Sequence, residues 1–146
     1  MFQTVAPRRA IVVGAIALLS ACAHVPEAEE IAQGAYTVAE QERLSEIEQH
    51  YVEGQYEALL ASFTDDPLVE NGGLAFRSDA LKYQAFSQCS LGEEQACRQS
   101  FRDLLEENPG YQLSPAEHSH PLWGRIFATE SRQIRSTRVW VKQEQP

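Results

Sequence analysis

Two glycines, Gly54 and Gly92, divide this chain more firmly than any other residues. Each sits between two stretches whose apolar residues recur with helical spacing. Before Gly54, Leu44, Ile47 and Tyr51 fall at i, i+3 and i+7. After it, Tyr56, Leu59, Leu60 and Phe63 fall at i, i+3, i+4 and i+7. Asp65-Asp66-Pro67 should stop that second helix, and Asn71-Gly72-Gly73 reads as a loop. Around Gly92 the pattern returns, with Leu81, Ala85 and Phe86 before it and Cys97, Phe101, Leu104 and Leu105 after it. Asn108-Pro109-Gly110 ends the unit. No stretch sustains a period of two, so a sheet is not expected. The chain should be all-α, built from about two helical hairpins.

Such a stack needs its ends closed, because helical hairpins bury their faces only against neighbours. Ser114-Pro115-Ala116-Glu117 has the capping-box pattern of a helix start, with Ser at N-cap, Pro at N1 and Glu at N3. His120-Pro121 interrupts it, and Leu122, Trp123, Ile126 and Phe127 then form the apolar face of a closing helix. Cys89 and Cys97 flank the Gly92 turn. Their spacing suits a disulfide across the helix pair in an oxidising compartment, or two buried thiols otherwise. Seven residues between them, rather than two, argue against a redox motif.

The first residues follow a different logic. Arg8 and Arg9 precede an apolar run from Ala10 to Leu19. Ten residues are too few to span a hydrocarbon core of about 30 Å, which needs roughly 20, so the run reads as a secretory h-region. It ends in Leu19-Ser20-Ala21-Cys22, which resembles the bacterial lipobox. The resemblance implies cleavage between Ala21 and Cys22, a diacylglyceryl group on the Cys22 thiol and acylation of the new terminus. The alternative is an ordinary secretory signal with a chance cysteine. In the sorting rule of many Gram-negative lipoproteins, Ala23 in place of Asp favours the outer membrane, facing the periplasm. Several acyl chains anchor far more firmly than one, since each buried methylene adds about 0.8 kcal/mol.

Gly92, the small Cys97, the aromatic Phe101, Leu104 and Pro109 resemble the landmarks of a tetratricopeptide repeat, although Gln84 and Gln88 depart from its usual Leu and Tyr. Gly54-Gln55-Tyr56-Glu57-Ala58 resembles the same turn and second-helix start. Gly54 and Gly92 stand 38 positions apart rather than the repeat's usual 34 or so, and the Asn71-Gly72-Gly73 loop can absorb the excess. A generic antiparallel hairpin domain is the alternative. Lys82 to Phe86 with Cys89, then Cys97, Pro109, Leu113 to Glu117 and His120 to Gly124 are similar to the blocks of the TssQ family. These are small tetratricopeptide lipoproteins associated with bacterial type VI secretion. The match covers about 50 residues, Leu81 onward. It implies an outer-membrane accessory that binds a protein of the secretion apparatus or its regulators, with no cofactor beyond the lipid on Cys22.

Charge supports part of this reading. The whole chain carries 21 acidic and 12 basic residues, a net of −9, which argues against nucleic acid. Residues 23–120 hold 19 acidic and 5 basic groups, whereas residues 121–146 hold 2 acidic and 5 basic. The organisation expected is a signal peptide over 1–21, a lipidated tether over 22–35, a helical domain over 36–133 and a flexible basic tail over 134–146. Docking of that tail on an acidic partner or on lipid headgroups is the alternative. Glu117-His118-Ser119-His120 is the densest cluster of chemistry-bearing groups. It lacks further ligands at metal-site spacing and reads as a structural cap. No phosphate loop, nucleophile elbow or metalloprotease His pair is found. A binding module without a small-molecule substrate is therefore expected. A pilotin or adaptor for a pilus, a secretin or a peptidoglycan hydrolase is the second reading, and an enzyme acting on cell wall or peptide the third.

Overall fold

The computed structural model describes residues 36–143, with side chains as far as Arg138. Ala21, Cys22, the signal peptide, the tether over 22–35 and residues 144–146 lie outside the described residues. Seven helices and no strands are found among the described residues: α1 (Val38–Val52), α2 (Tyr56–Ala61), α3 (Pro67–Asn71), α4 (Leu74–Ser90), α5 (Glu94–Glu107), α6 (Pro115–His118) and α7 (Gly124–Gln143). The all-α hairpin architecture is as the sequence implies.

Helix α1 starts at a capping box. The Thr37 hydroxyl accepts from the Glu40 amide, and the Glu40 carboxylate accepts from the Thr37 amide at 2.6 Å. Glu40 also accepts from the Gly73 amide at 2.5 Å, which ties the start of α1 to the start of α4. This near-buried carboxylate is held below its ordinary pKa range by the Thr37 amide first and the Gly73 amide second, against the opposing effect of burial.

Helices α1 and α4 end the same way. Gly54 (φ 73°) donates to the Tyr51 carbonyl while Gln55 donates to that of His50; Gly92 (φ 79°) donates to Cys89 while Glu93 donates to Gln88. These are Schellman ends, and the left-handed residue they require is glycine in each. Five positions beyond each glycine, Leu59 and Cys97 are fully buried between the two helices of their hairpins. The hairpins are thus equivalent at the turn and unequal in length. Helix α2 stops at Ala61, short of Phe63, and Asp65 takes a left-handed φ of 57°.

The stretch expected to be a plain loop holds the short helix α3. Asp66 caps it by accepting from the Leu68 amide at 2.9 Å, with Pro67 at its first position. The Arg43 guanidinium, 2.6 Å from Asp66, joins this turn to α1 and also donates to the Ser62 carbonyl at 2.8 Å.

The core has two parts joined by α4. Leu44, Ile47, Leu59, Phe76 and Ala80 form the first. Phe86, Cys97, Phe101, Leu104, Trp123 and Phe127 dominate the second. Tyr51 and Tyr83 pack against both. The Cys89 and Cys97 sulfurs stand at 2.08 Å, a disulfide joining α4 to α5. Trp123 stacks on Phe86 with ring centroids 4.2 Å apart, and Phe101 meets Phe127 edge-on at 5.3 Å.

Helix α7 closes the stack and corrects two expectations. It begins at Gly124, so Trp123 enters the core from the turn before the helix while Leu122 stays half exposed. It also continues to Gln143, through most of the segment expected to be a flexible tail. Two interactions on α5 account for its seat there. Glu130, 1% exposed, receives Arg98 at 3.1 Å and Arg102 at 2.6 Å. Arg138 donates to the Glu106 carbonyl at 2.9 Å, satisfying one of the last carbonyls of α5.

Candidate binding groove

The segment between α5 and α7 turns over a groove of about 620 Å³ along the first half of α7. Its position follows from three local devices. Ser114 and Glu117 form the expected capping box, with the Ser114 hydroxyl accepting from the Glu117 amide and the Glu117 carboxylate accepting from the Ser114 amide. Next, Gly124 lets the start of α7 approach the end of α6, because a Cβ there would lie 2.2 Å from the His118 carbonyl oxygen. Last, Asp79 on α4 accepts from both the Tyr36 and the Tyr111 hydroxyls. Lys82 lies 3.1 Å from Glu117 and 3.7 Å from Asp79, so the same network holds α6 and the segment before it against α4.

Burial and hydrogen bonding shift the phenols of this network and the Glu117 carboxyl in opposite directions. Burial, then the hydrogen bond to Asp79, pushes the Tyr111 phenol far above its ordinary pKa, and Tyr36 rises for the same reasons. Both therefore remain donors. Burial raises Glu117, but the Ser114 hydrogen bonds and the Lys82 ammonium outweigh it and hold the carboxyl below its usual range. Tyr51, beside this network, is pushed up to about 12, chiefly by burial.

The groove itself is cationic above an apolar floor. Leu113 and Phe127 are buried beneath it, while Arg125, Arg132 and Arg135 stand exposed along its α7 side and Tyr111 and His118 form part of the opposite wall. Arg125, Arg132 and Arg135 share one face of α7. At 1.5 Å rise per residue they span about 15 Å. Among the described residues none of the three enters an ion pair. Arg132 reaches only Thr129 at 3.5 Å, and Arg135 only the Ser131 carbonyl at 3.1 Å.

The residues singled out in the sequence are thus positioned, and most prove architectural. Gly54 and Gly92 make the two turns, Phe101 and Trp123 fill the second core, Ser114 caps α6, and Pro109 lies exposed just beyond α5. The Glu117–His120 cluster disperses. Glu117 engages Lys82, His118 lines the groove, and His120 stacks on Trp123 at 3.3 Å between centroids. No three His, Cys, Asp or Glu side chains converge as metal ligands among the described residues, and no helix there is long and apolar enough to cross a membrane.

Sequence reasoning missed the Glu130 clamp and the groove. Glu130 had a legible signal, since it lies at i+3 and i+4 from Phe127 and Ile126, on the apolar stripe of α7. The groove had none, because its wall comes from a segment whose path depends on the Asp79 network. Comparison with protein-family models, curated proteins and solved structures finds no match.

Proposed function

We propose that this protein is a lipid-anchored adaptor of the bacterial envelope, accessory to type VI secretion. Its helical stack holds a protein of the apparatus or one of its regulators. The observation that carries the reading is the pair of equivalent glycine-turned hairpins, closed by α7 and bearing an open groove, downstream of a lipobox-like Leu19-Ser20-Ala21-Cys22. Stacked hairpins present extended side-chain surfaces suited to protein recognition. An acylated Cys22 would fix the site of recognition at the outer membrane, on its periplasmic face. The tetratricopeptide-like blocks and the His120-to-Gly124 closing block support the assignment to the secretion system. Gly124 supplies one physical reason for that block, the close approach to His118.

Deletion in the native host tests this. Secretion of type VI substrates should fall, and should be restored by the wild-type chain but not by Cys22→Ser. Undiminished secretion in the deletion strain would count against the role. Loss of pilus or secretin assembly instead would favour an adaptor for those machines.

A further inference from the structure

We propose that the groove beside α7 binds an extended acidic segment of the partner protein, its carboxylates pairing with Arg125, Arg132 and Arg135. This names the ligand chemistry of the site and rests on the adaptor reading above. The first argument is charge. Three guanidinium groups face one groove without an ion pair among the described residues, on a protein whose residues 23–120 are strongly acidic. The other two described basic residues nearest in the chain, Arg102 and Arg138, are used internally, on Glu130 and on the end of α5. The three groove arginines thus have no carboxylate partner among the described residues, and planar guanidinium groups match carboxylates with two parallel hydrogen bonds.

Shape favours a peptide over a membrane. The arginines border a concavity with a buried apolar floor and a facing wall. A surface that inserts into headgroups instead offers large apolar side chains beside its cations. The exposed large apolar residues among those described, Val38, Val52, Leu74 and Leu122, do not line the groove. The span of about 15 Å from Arg125 to Arg135 accommodates four to five residues of extended chain at roughly 3.3 Å each. Carboxylates on alternate residues would face the arginines on one side, and apolar residues between them would face Leu113 and Phe127. Tyr111, whose hydroxyl donates to Asp79, adds a neutral aromatic wall rather than a second charge.

The test is fluorescence anisotropy with the full chain in non-ionic detergent. The probe is a fluorescein-labelled hexapeptide of alternating Glu and Leu, with a Gln–Leu peptide as control. Binding should be saturable, weaken with added salt, and drop by about tenfold or more for the Gln–Leu peptide and for the double variant Arg132→Gln/Arg135→Gln. These arginines make no ion pair among the described residues, so the variant should keep close to the wild-type melting temperature. Arg138→Gln, outside the groove, should lower that temperature and leave affinity unchanged. Equal binding of both peptides, or none, would overturn the proposal.

Three other outcomes would also overturn it by naming another occupant. Binding only to vesicles of phosphatidylglycerol and phosphatidylethanolamine, lost in the double variant, would assign the groove to lipid. Arginine-dependent self-association would assign it to a second copy. Peptide binding seen only after Glu27, Glu29 and Glu30 are replaced by Gln would assign it to the chain's own acidic segment. Failure here with secretion still dependent on the chain would remove the groove assignment and leave the adaptor role standing.

Discussion

Gly54 and Gly92 hold the same place in two hairpins: each turns left-handed after a long helix and hands the following residue's amide back to a carbonyl five positions earlier. Nothing lies within 4 Å of a Cβ added at either position. An alanine there meets only backbone strain, about 1–2 kcal/mol, offset in part by the 0.4–1 kcal/mol or so gained from a less flexible unfolded chain.

Gly54→Ala and Gly92→Ala should therefore each destabilise by about 1 kcal/mol in urea unfolding. Gly124→Ala should cost more, roughly 3 kcal/mol, because its Cβ meets the His118 carbonyl oxygen and backbone must move. Equal losses at all three sites would contradict the distinction.

Reduction of the Cys89–Cys97 bond should lower stability by about 2.5 kcal/mol, the chain-entropy value for so short a loop. Urea midpoints with and without reductant measure it. Non-reducing mass spectrometry should find the two cysteines linked in protein taken from the envelope, and two free thiols would contradict this.

Glu130→Gln should destabilise by about 2 kcal/mol, since it removes the buried charge and one of the two oxygens that accept from Arg98 and Arg102 and seat α7 on α5. Glu94→Gln removes an exposed partner of the same Arg98 and should cost less than about 0.5 kcal/mol. Hydrogen exchange should show α7 opening first in Glu130→Gln. An unchanged α7 would refute the clamp.

Stability should also depend on acid. Glu40, Asp66 and Glu117 all titrate below their ordinary range in the folded protein. Glu40 is lowered chiefly by the Thr37 amide. At Asp66 and Glu117 burial pushes upward but is outweighed, by Arg43 and the Leu68 amide in the first and by Ser114 and Lys82 in the second. Carboxyls depressed in the folded state bind fewer protons than in the unfolded chain, so their contribution is present at neutral pH. It is lost as pH falls below about 4, through the folded values. Urea unfolding from pH 7 to pH 3 should follow that course, and Glu40→Gln should flatten part of it. Stability that rises on acidification would contradict the assignment.

How far the sequence discloses this architecture varies with the range of the interaction. The Gly54 and Gly92 turns, the Ser114 capping box and the core residues Phe101 and Trp123 are local or periodic signals, and each is legible. Helix α3 is masked in the sequence by Asn71-Gly72-Gly73, a loop signal, although Asp66-Pro67 carries the cap and first position that start a helix. The last part of α7 resembles a tail in the sequence because its charges look solvated. What orders it is a backbone carbonyl of Glu106 thirty-two residues away, which has no sequence signature. The groove depends on Asp79 joining Tyr36 and Tyr111 across separations of 43 and 32 residues.

The proposed role of this helical stack is to hold a secretion protein at the membrane. In-cell cross-linking of the full chain, followed by mass spectrometry of adducts from intact outer membranes, tests it most directly. Cross-links from the α6–α7 region to a component or regulator of the type VI apparatus, lost in Cys22→Ser, are the expected result. Adducts confined to pilus subunits, secretins or peptidoglycan hydrolases, or unaffected by Cys22→Ser, would contradict it.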